Sequence, residues 1–356
     1  MAAVTALPLF PASVVGSMPR PQHVRELIEK PAWDAADERA MDAAIRYAVS
    51  MQEMAGLDVV TDGEWRRRSY IGVIAELAHG FTLEVNPADG RPWTVVTDKL
   101  MPKPAGFIAS EAKFLKSVAR VGTKITLPAP ALLGERLWHP ERSKKAYPKR
   151  EDFVRDCVAP LRREIELIRD IGIDIVQIDD PHLCLFVDPD VRRTYDDPDR
   201  SADFVADMIN ELVSGFTGIK FAVHLCRRAG ARVRGEKHHA GTYGPILSQL
   251  NKLKVQHLTM EFTAAGADDL ESLARLRGDF ELGLGVVDVT PGALEPAQTI
   301  AARIDRALAR IDAKRITLNP DCGFAPGSGA RVDIDEVYLK LRAEAEAARL
   351  LRARHR

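Results

Sequence analysis

The sequence predicts an α/β protein built as a single (β/α)8 TIM barrel domain over residues 1–356, and three observations support this prediction. Short apolar segments alternate with longer amphipathic ones along the chain, which is typical of parallel strands joined by helices. Eight such units occur, and eight units close a TIM barrel. No linker divides the chain into separate parts.

Hydrophobic periodicity predicts the individual elements. Strands are predicted at residues 14–16, 57–61, 124–127, 174–178, 220–226, 257–261, 281–287 and 316–318. Helices are predicted at residues 35–55, 66–78, 110–118, 152–171, 202–216, 244–253, 268–276, 295–311 and 335–352. Alternating apolar residues around a turn at 86–90 predict a β-hairpin excursion after the second βα unit, and the basic stretch 135–150 predicts a solvated loop.

A doubly wound open sheet is the competing fold. The first strand-to-helix turn has no GxGxxG sequence, and Gly283-x-Gly285 lies deep in the chain without a third glycine in place. The barrel is therefore the better prediction.

Composition restricts the classes of function. The chain is 46% hydrophobic and 28% charged, and its formal net charge of −1 argues against a nucleic-acid-binding protein. Four scattered cysteines indicate a reducing compartment rather than a disulfide framework. A signal peptide would require a basic residue near the N-terminus, and none precedes Arg20. No apolar segment is long enough to span a membrane. We expect a cytoplasmic protein that binds neither nucleic acid nor membrane.

Four potential metal ligands follow predicted strands. His224 and Cys226 stand two apart at the end of one strand, so an imidazole and a sulfur face the same side. Glu261 and Cys322 end or follow later strands. Such a set suits zinc first. The alternative is that both cysteines are ordinary small core residues.

Other polar residues occupy the same position in their units. Ser17, Glu64, Asp179 and Asp288 sit at or just past the carboxyl ends of four further strands. A barrel brings these ends to one face, where the active site lies. The alternative for each carboxylate is that it caps the N-terminus of the following helix instead of belonging to the active site. For Asp288, a helix N-cap and a catalytic role are equal alternatives.

The ligand types indicate a class of chemistry. Zinc bound by two thiolates and a carboxylate is a poor Lewis acid for water, but it can hold a further thiolate that remains nucleophilic. Hydrolytic zinc sites generally use three His, or two His and one Glu. We therefore expect an alkyl group to be transferred to a thiol. Glu64 and Asp179 suit an ammonium group on that thiol compound.

These segments, in order, resemble the cobalamin-independent methionine synthase family, and specifically its C-terminal catalytic barrel. The resemblance covers most of the chain, and its most specific motifs are His-x-Cys and Asn-Pro-Asp-Cys-Gly. The matching segments are Val15-Gly-Ser-Met-Pro19, Asp62-Gly-Glu64 with Arg66, Gln177-Ile-Asp-Asp-Pro181, His224-Leu-Cys226, Thr259-Met-Glu261 and Asn319-Pro-Asp-Cys-Gly323. This chain would be a short, single-domain member.

The resemblance implies a reaction and a set of roles. A catalytic Zn2+ would be bound by His224, Cys226, Glu261 and Cys322, and homocysteine would bind this metal through its sulfur. The substrate's amino group would meet Glu64 and Asp179, and its carboxylate would meet the backbone near Gly16 and Ser17. Methyl transfer to that sulfur would give methionine, as a step of amino-acid biosynthesis.

The methyl donor is left open by departures from the family pattern. The family has Glu where Asp180 stands, and the tryptophan on which it stacks folate is not clearly matched. The candidates are 5-methyltetrahydrofolate, a methylated corrinoid protein and another alkyl donor.

The loop after Cys226 suggests an alternative substrate. Its basic residues include Arg227 and Arg228, which suit an anion such as a sulfonate, although a solvated basic loop is an equal alternative. Some short relatives open epoxides with coenzyme M, so a zinc-dependent alkyltransferase acting on another thiol is the second hypothesis. A non-catalytic protein with a structural zinc is the third.

Overall fold

Seven parallel strands form the central sheet in a computed structural model of the protein, which describes residues 7–85, 90, 92–227, 239–325 and 332–355. In sheet order they are β1 (Val59–Val60), β4 (Gly122–Pro128), β5 (Ile175–Asp179), β6 (Lys220–Leu225), β7 (His257–Glu261), β8 (Glu281–Val287) and β9 (Ile316–Pro320). Neighbours in space are also neighbours along the chain, apart from β2 (Ala78–Val85) and β3 (Pro92–Pro102), which lie outside this sheet. The predicted α/β class is confirmed.

Residues just before the first predicted strand lie between the two edges of this sheet. Ala12 makes a parallel bridge to Leu318 of β9, and Ser13 makes one to Val59 of β1. The backbone N–H of Ser13 donates to the carbonyl of Leu318 at 3.0 Å. The sheet is therefore curled, and its pairing falls at residues 12–13 rather than at the predicted 14–16.

Most of the strands are buried along their whole length because the sheet is covered on both faces. Every residue of β4, β5, β7 and β9 is buried. A parallel sheet with helices outside and side chains inside shows this continuous burial instead of polar alternation. The strands predicted at 257–261 and 281–287 have the bounds of β7 and β8.

Helices precede, connect and follow the strands along the chain. They are α1 (Gln22–Glu29), α2 (Ala35–Ala55), α3 (Ile74–Leu77), α4 (Phe107–Val118), α5 (Pro130–Leu137), α6 (Arg150–Asp156), α7 (Val158–Ile171), α8 (Pro181–Leu185), α9 (Pro189–Arg192), α10 (Pro198–Val213), α11 (Leu247–Lys252), α12 (Leu270–Ala274), α13 (Ala297–Ala307) and α14 (Ile334–Arg354). Short 3-10 helices cover Gly244–Ile246 and Ala313–Arg315. In the described part of the chain, no helix is both long and apolar enough to cross a membrane.

The helix predicted at residues 66–78 is wrong for most of its length, because only α3 is helical there. Glu64 has a φ of 60°, which turns the backbone away from a helical path. Arg67 is a good helix former by propensity, but its guanidinium is buried against Glu111 of α4. A tertiary ion pair therefore outweighs local propensity in this segment.

One further helix prediction and the predicted loop differ from the structure. The segment predicted as one helix at 152–171 contains α6 and α7, which meet at Cys157. Part of the stretch predicted as a loop belongs to α5, which begins with Pro130 in its first turn. Proline fits there because the first N–H groups of a helix have no intrahelical acceptor.

A separate two-stranded antiparallel sheet is formed by β2 (Ala78–Val85) and β3 (Pro92–Pro102). Thr82 is paired with Val95, and Phe81 is paired with Val96. Residues 86–89 of the predicted turn, together with residue 91, lie outside the described residues.

Candidate metal centre and substrate site

Three predicted metal ligands converge at the carboxyl end of the sheet. His224 lies on β6, Cys226 directly follows it, and Cys322 follows β9. The two sulfur atoms are 3.3 Å apart, and one ligand atom from each of the three residues lies within 4.8 Å of the others. Residues almost a hundred positions apart are thus brought to one point by the curled sheet.

The imidazole of His224 is held in one orientation. Its Nδ1 lies 3.1 Å from Oδ1 of Asp179 on the neighbouring strand. An ionised carboxylate only accepts hydrogen bonds, so Nδ1 carries the proton of this contact. Nε2 is buried and has no hydrogen-bond partner among the described residues. This carboxylate–histidine arrangement is how proteins orient a metal-binding imidazole.

Two of the three residues have raised pKa values. The hydrogen bond to Cys322, together with burial, raises the pKa of Cys226 well above its usual range. Burial by itself would lower the pKa of His224, but Asp179 and the sulfur of Cys226 raise it to about 10. A bound cation would favour deprotonated sulfurs. Two sulfurs bound tetrahedrally to one zinc lie about 3.8 Å apart, so the sulfurs found 3.3 Å apart would separate by about 0.5 Å to hold it.

Glu261, the predicted fourth ligand, ends β7 and is fully buried. Leu225 is paired with Met260, so Glu261 lies beside Cys226 at the edge of the sheet. Its Oε1 accepts the backbone N–H of Arg227 at 2.7 Å. Glu261 is not among the three residues whose ligand atoms lie within 4.8 Å of one another, so its coordination of a metal remains a prediction.

Glu64 and Gly16, both predicted to bind substrate, are in contact. A Cβ atom added at Gly16 would lie 2.7 Å from Oε1 of Glu64 and 2.9 Å from Cγ2 of Thr126. The hydroxyl of Thr126 donates to the same Oε1 at 2.7 Å. Burial raises the pKa of Glu64, although Arg67 opposes the shift. Only glycine leaves room for this carboxylate.

Ser17 connects the predicted substrate segment to the cysteine segment. Its Oγ accepts the backbone N–H of Ala325 at 3.3 Å, and its carbonyl accepts that of Phe324 at 2.9 Å. A Cβ at Gly323 would lie 2.3 Å from the same Oγ, so Gly323 is needed for this close approach. The turn at Ser17 therefore packs against the residues that follow Cys322.

Asp288 and Arg227, which were also predicted to belong to the site, make contacts of their own with the rest of the protein. Oδ1 of Asp288 accepts the backbone N–H of Thr290 at 2.8 Å in a turn, and the next helix starts only at Ala297. The guanidinium of Arg227 is buried, with its carbon 4.2 Å from the centre of the Tyr243 ring. It therefore contacts protein rather than solvent. Arg228 lies outside the described residues. A catalytic role for Asp288 and anion binding by the arginines remain predictions.

Several residues near the site were not predicted. Gln177 donates from Nε2 to Oδ1 of Asp179 at 2.8 Å, and its spacing of two from Asp179 on one strand was an available signal. Tyr70 is near enough for the charges of Asp179, Cys226 and Cys322 to act on it, while burial raises its pKa most. No local pattern marks Tyr70.

Fold and site together define an α/β protein with a candidate His-Cys-Cys metal centre at the carboxyl edge of a curled parallel sheet. Comparisons with known proteins agree with this class. A model of the catalytic domain of cobalamin-independent synthase matches residues 10–349. A methionine synthase from Saccharolobus islandicus is 30% identical over 335 residues, covering 90% of each chain. One from Sulfolobus acidocaldarius is 26% identical, covering 89% of this chain and 86% of its own.

Solved structures agree in fold. A B12-independent methionine synthase from Shewanella sp. W3-18-1, in complex with selenomethionine, has a TM-score of 0.79 at 21% identity and covers 98% of this chain and 99% of its own. The putative vitamin-B12-independent methionine synthase from Listeria monocytogenes has a TM-score of 0.72 at 23% identity, with the same coverage. The chain belongs to the cobalamin-independent methionine synthase family, and it is a methyltransferase. The predicted resemblance is confirmed.

Proposed function

We propose that this protein is a zinc-dependent methyltransferase that transfers a methyl group to the thiol of homocysteine and so forms methionine. The observation that carries the proposal is the convergence of His224, Cys226 and Cys322, with ligand atoms within 4.8 Å of one another. Family membership and relatives named methionine synthase support the choice of reaction.

The proposed metal ligands are the three converging residues together with Glu261. The buried Nε2 of His224 and the paired sulfurs provide soft and borderline donors, which zinc prefers. When bound, zinc would stabilise a substrate thiolate at neutral pH without abolishing its nucleophilicity. Among the described residues, the donor set thus fits the metal that the chemistry needs.

The protein's own residues would bind the amino-acid part of the substrate. Glu64 and Asp179 are buried carboxylates, and an ammonium group is their natural partner. The backbone at Gly16 and Ser17 lies against Glu64 and against the segment after Cys322, so it would receive the carboxylate next to the metal. This arrangement would orient the thiol towards the ligand cluster.

The proposed methyl donor is 5-methyltetrahydrofolate or a methylated corrinoid protein. An assay distinguishes the two donors: each is supplied in turn to the zinc-loaded enzyme with homocysteine, and the methionine formed is measured. The second hypothesis is another thiol held by the basic loop, in which Arg227 is buried and Arg228 lies outside the described residues. We propose homocysteine as the acceptor because the chain belongs to the methionine synthase family. We also propose a cytoplasmic location.

The proposed architecture is one catalytic (β/α)8 domain. The seven parallel strands would be completed by the segment at residues 12–13, whose bridges reach both the first and the last strand. The antiparallel pair β2 and β3 would be the predicted excursion from that barrel. Closure would explain why ligands from β6, β7 and β9 face the substrate segment at Gly16.

The decisive experiment is zinc K-edge X-ray absorption on the purified protein, with and without homocysteine. The proposal expects two sulfurs on the resting metal and a third when homocysteine is added. Two sulfurs with no change on adding homocysteine would refute the acceptor and leave the metal site. A metal without two sulfurs, after loading with zinc, would refute the site itself.

A further inference from the structure

A buried side-chain amide connects the candidate metal centre to a lysine inside the sheet. Nζ of Lys124 donates to Oε1 of Gln177 at 3.0 Å, and the hydroxyl of Thr259 donates to the same oxygen at 3.3 Å. Nε2 of Gln177 donates to the carbonyl of Val15 at 2.9 Å and to Oδ1 of Asp179 at 2.8 Å. All four hydrogen-bonding positions of this amide are therefore used.

These partners allow only one orientation of the amide. An ammonium group can only donate, so the atom of Gln177 facing Lys124 must be the oxygen. A backbone carbonyl can only accept, so the atom facing Val15 must be the nitrogen. The NH2 group consequently points at Asp179. Gln177 is fully buried and Lys124 is 2% exposed, so water does not compete for these contacts.

Asp179 receives two donors on one oxygen. Oδ1 accepts from Gln177 at 2.8 Å and lies 3.1 Å from Nδ1 of His224. Oδ1 therefore lies between the side-chain amide of Gln177 and the imidazole of His224, and it contacts both. Because Nδ1 of His224 faces this oxygen, Nε2 is the ring nitrogen that a metal could reach.

We propose that Gln177 is a positioning residue for the metal centre: held by Lys124, its amide orients Asp179 and, through Asp179, the imidazole of His224. The inference rests on the metal site of the proposed function. The same amide holds the carbonyl of Val15, directly before Gly16, so it also ties the metal-ligand side of the site to the substrate side.

The test compares two Gln-to-Glu variants. Gln177→Glu keeps the shape of the side chain but places a carboxylate oxygen against Asp179 and against the Val15 carbonyl. Gln249→Glu is the matched control, because Gln249 is also buried and also donates from Nε2 to a carboxylate, at 2.8 Å to Asp203. Gln249 lies on α11, which packs against α10.

Zinc dissociation constants are measured by competition with a chromophoric chelator, at a temperature where circular dichroism shows each metal-free protein folded. We expect zinc binding about 10- to 100-fold weaker in Gln177→Glu and unchanged in Gln249→Glu. Lys124→Met, which removes the donor that fixes the amide, is the second variant and is expected to lose about tenfold. The ligand-field absorption of the cobalt(II)-substituted protein should change in Gln177→Glu and Lys124→Met only.

Wild-type zinc affinity and an unchanged cobalt spectrum in Gln177→Glu would refute the inference alone. Equal losses in Gln177→Glu and Gln249→Glu would reduce Gln177 to a general structural role and would also overturn it. A wild-type protein that binds no metal through Cys226 and Cys322 would refute the proposed function, and this inference with it.

Discussion

Replacing Gly16 by alanine should weaken homocysteine binding without affecting the metal. The new Cβ would lie 2.9 Å from Cγ2 of Thr126 and 2.7 Å from Oε1 of Glu64. Carbon atoms in contact settle about 3.5–4.0 Å apart, so these groups must separate by roughly 0.6–1.1 Å. That shift would break the 2.7 Å hydrogen bond from Thr126 to Glu64 and move the carboxylate proposed to bind ammonium.

The size of the effect follows from the lost contact between the displaced Glu64 and the ammonium group of homocysteine. A hydrogen bond to a charged group contributes about 1.5–3 kcal/mol, and each 1.4 kcal/mol is a factor of ten in affinity. We therefore expect homocysteine to bind the zinc-loaded Gly16→Ala variant about 10- to 100-fold more weakly. Isothermal titration calorimetry measures this, and the zinc dissociation constant should stay at the wild-type value.

The matched control is Gly278→Ala. A Cβ at Gly278 meets nothing within 4 Å, and its φ lies outside the left-handed region, so alanine should be tolerated there. Homocysteine affinity should be unchanged in this variant. If Gly16→Ala is folded and binds homocysteine as tightly as the wild type, Glu64 and Gly16 do not form the substrate site.

Other predictions concern the buried charges and the cysteines. Arg67→Met should destabilise the fold by about 3–5 kcal/mol in urea unfolding, because Glu111 is left buried without its cation. Adding Glu111→Leu to this variant should recover most of the lost stability. If the losses of the two substitutions simply add, the two residues are not coupled. Burial raises the pKa of Glu111 to about 7, so its contribution to stability is fully present below the unfolded value of 4.5 and is lost as pH rises through 7. Glu111→Gln should abolish this dependence in urea titrations between pH 4 and 8, and an unaltered profile would exclude Glu111 as its source. Cys322→Ser should remove tightly bound zinc, as measured by elemental analysis, whereas Cys157→Ser, buried in the core, should retain it.

The strands could be predicted because their signal is local. In β8, burial on both faces favours a continuous apolar run, and the run from Leu282 to Val287 is visible in the sequence. Helix α2 was equally predictable: Asp34 caps its start with a capping box, and Gly56 ends it in the left-handed conformation.

Segments whose side chains bind distant partners could not be predicted in the same way. Residues 66–73 contain good helix formers, yet Arg67 reaches Glu111 and Glu64 adopts a positive φ beneath Gly16. Helix propensity describes an isolated segment, and it is outweighed here by a buried ion pair between Arg67 and a residue 44 positions further along the chain.

For the site, the sequence alone determined which residues could serve. The His-x-Cys spacing, the later Glu261 and Cys322, and their recurrence at strand ends indicated a metal centre and its family. These signals survive in sequence because strand periodicity and residue chemistry are local properties.

Only the tertiary structure decided how those residues are used. It showed that Nδ1 of His224 is engaged by Asp179, that the amide of Gln177 has one orientation, and that Arg227 is buried. Each outcome depends on short, directional contacts between atoms from different strands, and no spacing along a single segment encodes them.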